Sequence, residues 1–347
     1  MQAIRLKEYG KLVIEKVPIP VLGESQVLIR VGYASICGTD QHILKGEMHP
    51  RTKLPFTPGH EFSGRVEETG KLVKNWKKGD HVAVDPIMWC GQCRACKIGH
   101  YPACTCLKLL GVDMDGGFAE YVAADETMLY KVPQSISDRD SALVEVYSIG
   151  FHACRRAGVQ KNDSVAIYGA GKIGQVILQA VRTITNGPVF IVDILENRLK
   201  IAKDNYQNVT AINAIIDDPL KVIQELSEGN GVDVAFEAVG HAVQIANRLN
   251  PVHSCIKSIR GAGTVCVLGL SNEMSPVLMK DLIWREAKIV ASRVNHGEYP
   301  QVIDHLGAGH LKPETLISAE LDISEAMRAF QLLADQPENY IKILLKI

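Results

Sequence analysis

The chain has 347 residues, 46% of them hydrophobic, and a formal net charge of −1 at pH 7. This length predicts about two domains, and the balanced charge gives no reason to expect nucleic acid or an anionic membrane surface as a partner. No stretch approaches the roughly 18 uninterrupted apolar residues of a membrane span, and the N-terminal segment MQAIRLKEYGKLVIEK is too charged for a secretory signal. The nine cysteines therefore predict a reducing compartment, the cytoplasm, with thiols free or bound to metal.

The N-terminal part, to about residue 148, contains short strand-like runs separated by glycine and proline clusters. The runs are Val27–Val31, Phe62–Glu67, His81–Val84 and Ala119–Val122. Such spacing predicts an irregular, mostly antiparallel β domain.

Metal-binding side chains occur at three separate places in this β-rich region. Cys37 lies in the segment ICGTDQH, His60 and Glu61 lie in PGHEFSG, and Glu145 ends the apolar run ALVE. Each has an ordinary structural alternative, such as a histidine in a turn or a glutamate paired with a base. Their order and setting make them candidate ligands of one metal.

A second cluster is formed by cysteines alone. Cys90, Cys93, Cys96 and Cys104 follow the spacing C-x2-C-x2-C-x7-C. Four thiolates this close suit a tetrahedral structural zinc, and we predict a zinc lobe over residues 85–106. A single iron–sulfur cluster is the alternative. The other cysteines, predicted to be packed free thiols, are Cys106, Cys154, Cys255 and Cys266.

The segment from Ser164 to Asp193 predicts a strand, a glycine turn, a helix and a second strand. The turn has the pattern G-x-G-x-x-G at Gly169, Gly171 and Gly174, and Asp193 follows about 20 residues later. Glycines let the backbone approach a pyrophosphate at a helix N-terminus, and the acid accepts hydrogen bonds from the ribose. We predict a dinucleotide site, against an ordinary strand–turn–helix unit.

After this unit, strand-sized and helix-sized runs alternate, which predicts a parallel sheet wound on both faces. The predicted strands are Val189–Val192, Val209–Asn213, Val232–Glu237, Thr264–Leu268 and Lys288–Val290, and the helices are Glu196–Asn205, Pro219–Glu228 and His241–Leu249. Two further helices, Tyr299–Ala308 and Ser324–Asp335, and a last strand, Tyr340–Ile347, are predicted to rejoin the first domain. The fold class is α/β: residues 1–149 and 291–347 form one discontinuous domain, and residues 150–290 form the dinucleotide domain.

Together these motifs resemble the zinc-containing medium-chain dehydrogenase/reductases, the superfamily of alcohol, sorbitol and threonine dehydrogenases. The segment DGGFAEY at 115–121 adds to the resemblance, which extends over essentially the whole chain. It implies a GroES-like catalytic domain and a Rossmann domain with the active site in the cleft between them. Four short segments resemble the starvation-sensing dehydrogenase group and the L-gulonate and L-galactonate 5-dehydrogenases. They are VDP at 84–86, LGV at 110–112, SRVN at 292–295 and KPE at 312–314.

The resemblance also implies roles for the candidate residues. Cys37 and His60 would bind a catalytic zinc, with Glu61 or Glu145 as the third ligand. A glutamate at 145, where ethanol-type enzymes have cysteine, indicates the polyol and threonine branch, although Val146 replaces the usual proline. Thr39 would pass on the substrate proton, with a helix-capping hydroxyl as the alternative. His42 would end the relay, with a surface histidine as the alternative.

The cofactor is predicted to be NAD, because the Asp193 carboxylate would repel a 2′-phosphate and no arginine follows it directly. Some use of NADP stays open, since Arg198 could reach the adenine side. The predicted cofactor contacts, besides the three glycines and Asp193, are Lys172, Ile173, Arg198, Val239 and Leu270.

The predicted substrate is a secondary alcohol of a sugar acid, with Arg293 binding its carboxylate and Asn295 a hydroxyl. An interdomain salt bridge is the alternative for Arg293. Sorbitol, galactitol and L-threonine are the alternative substrates. A zinc-free quinone-type reductase and a non-enzymatic NAD-binding regulatory protein are the alternative functions, and the family implies a homodimer or homotetramer.

Overall fold

The computed structural model describes residues 1–240 and 249–347. The chain divides into two compact units, of which the first is discontinuous. The first unit comprises Met1–Val146 and His296–Ile347, and the second comprises Tyr147–Asn295. The domain limits that the sequence suggests, 149/150 and 290/291, remain a prediction.

Strands and helices are numbered along the chain. Up to the boundary between the units, which α4 crosses, they are β1 (Gln2–Glu8), β2 (Lys11–Lys16), β3 (Gln26–Ser35), α1 (Gly38–Leu44), β4 (Glu61–Thr69), β5 (His81–Val84), β6 (Ile87–Met88), α2 (Arg94–Lys97), β7 (Lys108–Leu109), β8 (Tyr121–Asp125), β9 (Leu129–Lys131), α3 (Asp138–Ser141) and α4 (Val144–Ala157). The second unit continues with β10 (Val165–Tyr168), α5 (Lys172–Ile184), β11 (Val189–Asp193), α6 (Glu196–Asn205), β12 (Val209–Asn213), α7 (Pro219–Leu226), β13 (Val232–Glu237), α8 (Pro251–Ser258), β14 (Ile259–Val267), α9 (Met279–Ile283) and β15 (Lys288–Ala291). The last segment contains α10 (Tyr299–Gly307), β16 (Ile317–Asp322), α11 (Ala326–Asp335) and β17 (Lys342–Lys346).

The first unit is built on a sheet with the strand order β16-β17-β3-β4-β5-β9, in which β8 also pairs with β3. All these pairs are antiparallel except β16 with β17, which are parallel. The C-terminal strand β17 pairs with β3, so the tail completes the sheet that the N-terminal segment begins. The predicted discontinuous β-rich fold is therefore confirmed.

The second unit has a wholly parallel sheet with the strand order β12-β11-β10-β13-β14-β15 in its described part. The chain leaves β10 toward β11 and β12, then returns to place β13 on the other side of β10. Ligands bind in such doubly wound sheets at this reversal, beyond the C-terminal ends of the strands. The four residues of β10 are all buried, as expected for a strand covered on both faces.

Several predicted elements differ from the structure. The predicted helix His241–Leu249 falls on residues 241–248, outside the described part of the chain. Strand β14 begins at Ile259, not Thr264, and β8 begins at Tyr121, because Ala119 makes only a single bridge to Ala3. Helix α8 was not predicted, although Asn250 caps it and Pro251 occupies its first turn.

The described part of the chain contains no helix that is both long and apolar enough to span a membrane.

Candidate active site

Cys37, His60 and Glu61 come together in the first unit. Each residue offers one ligand atom, and these three atoms all lie within 4.8 Å of one another. Cys37 is the N-cap of α1, Glu61 is the first residue of β4, and His60 directly precedes that strand. His60 and Glu61 are both buried. The three predicted ligands therefore form a cluster of a partly buried thiol with a buried imidazole and a buried carboxylate.

The turn before His60 depends on glycine. Gly59 has φ of +98°, and a Cβ there would lie 2.5 Å from the Phe118 ring. The Gly59 carbonyl accepts a hydrogen bond from Gly117 N at 2.7 Å, so the predicted DGGFAEY segment supports this turn. The segment that contributes to the family resemblance thus positions His60.

Asp40 supports two members of the cluster, a role that the sequence did not predict. Its Oδ2 accepts a hydrogen bond from Cys37 N at 2.8 Å, and its Oδ1 lies 3.6 Å from His60 Nδ1. Burial lowers the pKa of His60, but Cys37 and Asp40 outweigh that effect and raise the pKa well above its usual value. The negative charges around His60 thus favour a cation at this position.

Glu145 lies in the first turn of α4 and is also buried. Burial raises the pKa of Glu145 well above its usual value, and the neighbouring Glu61 raises it further. Its Oε2 has no hydrogen-bond partner among the described residues. A buried carboxylate oxygen of this kind is costly unless a cation or donor reaches it.

Lys342, on β17, was also missed. Its side chain is fully buried and donates hydrogen bonds to Glu61 Oε2 and, at 3.3 Å, to the carbonyl of Ile36. The sequence does hold a signal, since Lys342 begins the apolar strand KILLK, whose next three residues are buried. A lysine in such a strand needs an acidic partner.

The two predicted proton-relay residues lie on α1. The Cys37 thiol donates to Thr39 Oγ1 at 3.8 Å, so Thr39 lies beside the cluster. His42 is half-exposed, and its Nδ1 is hydrogen-bonded to the Glu47 carboxylate, a partner that the sequence did not predict. Thr39 and His42 are three residues apart on a helix, a spacing that places them on the same side.

The donors of this site fit a zinc ion. Thiolate, imidazole and carboxylate are the ligands that zinc uses in catalytic sites, where three protein ligands leave one position open. The orphaned Glu145 oxygen and the raised pKa of His60 show that the chain gathers more negative charge than Lys342 alone compensates.

The four predicted cysteines of the lobe also come together. Ligand atoms of Cys90, Cys93, Cys96 and Cys104 lie within 4.8 Å of one another. Backbone N–H groups point at their sulfurs, from Cys93 to Cys90 at 3.3 Å and from Cys90 to Cys104 at 3.4 Å. Donors directed at sulfur stabilise thiolates, and this closed sulfur set fits a structural zinc.

The prediction of packed thiols was right for Cys154, Cys255 and Cys266, which are buried, and wrong for Cys106, which is exposed. Cys106 donates its backbone N–H to Cys104 Sγ at 3.4 Å. Its main chain thus serves the lobe, while its side chain lies at the surface.

In the second unit the glycine turn has distinct steric requirements. Gly169 has φ of +102°, and a Cβ on Gly174 would lie 1.7 Å from the Gly169 carbonyl oxygen. A Cβ on Gly171 would meet nothing nearer than the Arg198 guanidinium at 3.5 Å. Gly169 and Gly174 are therefore required by the fold, whereas Gly171 keeps the N-terminus of α5, where Lys172 and Ile173 begin the helix, open to a ligand.

Asp193 closes this turn as well as ending β11. Its Oδ2 accepts from Ala170 N at 2.6 Å, and its Oδ1 accepts from Ile194 N at 2.8 Å. Arg198 Nη1 lies 4.0 Å from Asp193 Oδ2, so Arg198 lies at the same edge. The acid predicted to bind ribose is thus held by backbone donors.

Glu237, at the end of β13, organises the neighbouring loops and was missed. Its Oε1 accepts from Val239 N at 2.8 Å and from Gly240 N at 3.0 Å, and its Oε2 accepts from Gly269 N at 3.1 Å. Glu237 therefore positions Val239, which is a predicted cofactor contact. Leu270, the other predicted cofactor contact in these loops, is largely exposed. An acid at the tip of a buried strand was the available signal.

The predicted substrate residues Arg293 and Asn295 follow β15. Arg293 is exposed and Asn295 is fully buried.

Comparisons with known proteins agree with both halves of this description. Residues 23–134 match the alcohol dehydrogenase GroES-like domain, and residues 173–308 match the zinc-binding dehydrogenase domain. The chain is 30% identical to the starvation-sensing protein RspB of Escherichia coli (strain K12), covering 99% of each chain. It is 31% identical to the L-idonate 5-dehydrogenase of Vitis vinifera, covering 97% of this chain and 92% of that one.

A solved structure shows the same fold. The alcohol dehydrogenase rspB from E. coli CFT073, crystallised with NADH, superposes with a TM-score of 0.89 at 30% identity, over 100% of this chain and 99% of that one.

The chain belongs to the zinc-type medium-chain alcohol and sorbitol dehydrogenase family. It is an oxidoreductase of that family, and RspB is among its relatives.

Proposed function

We propose that this chain is a zinc- and NAD-dependent dehydrogenase that oxidises a secondary alcohol of a sugar acid or polyol. The buried cluster of Cys37, His60 and Glu61, with Glu145 beside it, is the observation that carries the proposal. When bound, zinc supplies Lewis-acid stabilisation of negative charge on the substrate oxygen, and NAD takes up a hydride.

The residues of the chain supply binding and proton transfer. Cys37 and His60 would hold the metal with Glu61 or Glu145, while Asp40 places its carboxylate 3.6 Å from His60 Nδ1 and fixes the Cys37 backbone. Thr39 accepts the proton of the substrate hydroxyl, and His42 exchanges it with solvent. Glu47, paired with the His42 ring, orients that imidazole.

NAD is favoured over NADP by the position of Asp193. Its carboxylate is fixed at the tip of β11 by backbone donors, where it would repel a ribose 2′-phosphate. Arg198 lies close enough to compensate part of this charge. Asp193→Asn removes the charge and keeps one of the two acceptor oxygens that Ala170 N and Ile194 N use, so the preference for NAD over NADP should fall at least about tenfold. An unchanged ratio of kcat/KM values would reject Asp193 as the discriminating residue.

A sugar acid is the favoured substrate, because the chain resembles dehydrogenases of that class and Arg293 is exposed after β15. The Arg293 guanidinium would bind the carboxylate, whereas Asn295 is fully buried and offers no surface to a substrate hydroxyl. Sorbitol-type polyols and L-threonine are the other candidates. Arg293→Ala should raise KM for a hexonate far more than for a hexitol, and equal effects on both would reject the carboxylate assignment.

The direct test is an assay of NAD reduction over hexonates, hexitols, pentitols and L-threonine, combined with zinc analysis. The proposal expects two zinc ions per chain and turnover of at least one of these substrates. Cys37→Ser should abolish turnover while NADH still binds. Absence of zinc would support a quinone-type reductase, and two zinc ions without turnover would support a regulatory NAD-binding protein.

We also propose that the enzyme is a homodimer or homotetramer in the cytoplasm. None of the nine cysteines, all of which lie in the described part of the chain, forms a disulfide, which suits a reducing compartment. In the second unit, Ile289 on the terminal strand β15 is 45% exposed and Trp284 is 87% exposed. An apolar strand at a sheet edge is a surface on which a second copy could pair.

A further inference from the structure

Gln175 lies in the first turn of α5 and is fully buried, although its side chain is polar. Its Nε2 donates two hydrogen bonds, to Ala170 O at 3.1 Å and to Arg198 O at 2.9 Å. The side chains of a helix lean toward its N-terminus, which is why Gln175 reaches a carbonyl five residues before it. Gln175 therefore ties the glycine turn to helix α6, which contains Arg198.

The bond to Ala170 O also fixes the direction of the next N–H group. A trans peptide unit is planar, and its C=O and N–H groups point in opposite directions. Because Gln175 holds Ala170 O, the Gly171 N–H of the same peptide unit points to the opposite side of the turn. Among the described residues this N–H has no hydrogen-bond acceptor, and Gly171 is the N-cap of α5. An N–H group of this kind is one that a helix N-terminus offers to an anion.

A cationic donor lies beside the same glycine. The Arg198 guanidinium is 3.5 Å from the position that a Cβ on Gly171 would take. Ala170 is in turn held at both of its polar groups, since its N–H donates to Asp193 Oδ2 at 2.6 Å and its carbonyl accepts from Gln175. Gln175 thus holds the main chain behind two neighbouring donors, the Gly171 N–H and the Arg198 guanidinium.

Stability is a weak reason for a glutamine at this position. Gln175 Oε1 is buried and has no hydrogen-bond partner in the described part of the chain. An unpaired buried acceptor destabilises the folded state, whereas an apolar side chain leaves no such atom. The next three residues of α5, Val176, Ile177 and Leu178, are apolar and fully buried. The amide of Gln175 therefore serves the turn that it holds.

We propose that Gln175 is a positioning residue for the cofactor, which directs the Gly171 N–H, with the Arg198 guanidinium beside it, at the pyrophosphate of NAD. This inference rests on the proposed function, because it assumes that the glycine turn binds NAD. Gln175 acts through the turn and not by contact with the cofactor, since its side chain is buried under the main chain that it holds.

A matched pair of variants in one helix tests this role by NADH fluorescence titration and thermal unfolding. Gln179 lies one turn after Gln175, is also buried, and accepts a hydrogen bond from Tyr147 OH at 3.1 Å. Gln175→Met should raise the Kd for NADH at least about tenfold, because a misdirected N–H loses a charge-assisted hydrogen bond to phosphate. Gln179→Met should lower Tm and leave that Kd within about twofold of the wild type.

Equal weakening of NADH binding in both variants would overturn the proposal, because it would follow from loss of any buried amide. A Kd for Gln175→Met within about twofold of the wild type would overturn it as well. If Gln175→Met does not fold, Gln175→Glu keeps the shape of the side chain and donates at most one hydrogen bond. It should then weaken NADH binding at least about threefold, and an unchanged Kd would count against the proposal.

Two fragments of the cofactor locate the effect when they compete with NADH. ADP carries two linked phosphates, whereas adenosine carries none. Gln175→Met should weaken ADP binding at least about tenfold and adenosine binding less than about threefold. Equal losses for the two fragments would place the effect at the adenosine half and contradict the direction assigned to the Gly171 N–H.

Steady-state kinetics give a further readout once a substrate is known. Gln175→Met should raise KM for NAD and leave kcat at saturating NAD within about twofold, since Gln175 positions the pyrophosphate and not the nicotinamide. A fall in kcat with an unchanged KM would contradict the proposal. A wild-type protein that binds no NADH would instead refute the cofactor assignment, and with it the proposed function.

Discussion

Gly171 and Gly174 occupy one nucleotide-binding turn but should respond differently to alanine. A Cβ on Gly174 would lie 1.7 Å from the Gly169 carbonyl oxygen, so the two would have to separate by about 1.3 Å to reach the 3.0 Å minimum of real contacts. That oxygen belongs to the backbone, and Gly169 N is itself bonded to Val192 O at 2.7 Å. The strain therefore cannot be relieved by a side-chain rotation.

We expect Gly174→Ala to cost about 3 kcal/mol of strain, offset by about 1 kcal/mol because alanine suits a helix better. The net loss of about 2 kcal/mol corresponds to a decrease in Tm of roughly 4–8 °C. Gly171→Ala introduces no contact under 3.5 Å and has φ of −71°. It should leave Tm within about 3 °C and weaken NADH binding by at least about tenfold.

The assay is thermal unfolding of both variants without cofactor, together with NADH fluorescence titration. Equal loss of stability in the two variants would refute the steric reasoning, as would a Gly174→Ala protein as stable as the wild type. Unimpaired NADH binding by Gly171→Ala would show that no ligand approaches this turn.

Three further predictions concern metal content, acid stability and assembly. Cys93→Ser should lower the zinc content from two ions to one per chain and reduce Tm by several degrees, and metal analysis with unchanged content would contradict the structural site. Burial would raise the pKa of Asp233, but Arg260 and Ser164 outweigh burial and lower that pKa. A carboxylate with a lowered pKa stabilises the fold at pH values above its ordinary pKa of 3.8, and this stabilisation is lost as the pH falls through the lowered pKa. Asp233→Asn should therefore cost about 1–2 kcal/mol at pH 7, with a smaller difference from wild type at pH 3 in urea unfolding, whereas a constant difference would argue against it. Ile289→Arg should reduce the molar mass measured by light scattering, and an unchanged mass would exclude pairing through β15.

The sequence predicted the fold and the site best where the residues involved lie close together along the chain. The cysteine spacing, the glycine turn and the alternating strands of the second unit each depend on contacts within one or two elements. Helix α6 and strands β12 and β13 agree with prediction to the residue, since each is a single apolar or amphipathic run between turns. Strand β16 was not predicted, because its six residues alternate only between half-buried and exposed and lack a strong apolar face.

Individual residue roles were harder to predict when one residue had two partners. Asp193 was predicted to bind the ribose, and the structure shows that it also holds Ala170 N at 2.6 Å. A substitution such as Asp193→Gly would therefore alter cofactor choice and loosen the glycine turn together. Asn is the better replacement because it removes the charge and keeps one of the two hydrogen-bond acceptors.

The support of the metal cluster is the part that no local pattern could reveal. Lys342 and Glu61 are 281 residues apart, and their contact exists only because β17 and β4 flank the same strand. Asp40 is close to Cys37 in sequence, yet it reaches His60 only after α1 and β4 pack together. The ligand types follow from motifs, whereas the strength of each ligand follows from partners that the folded sheet supplies.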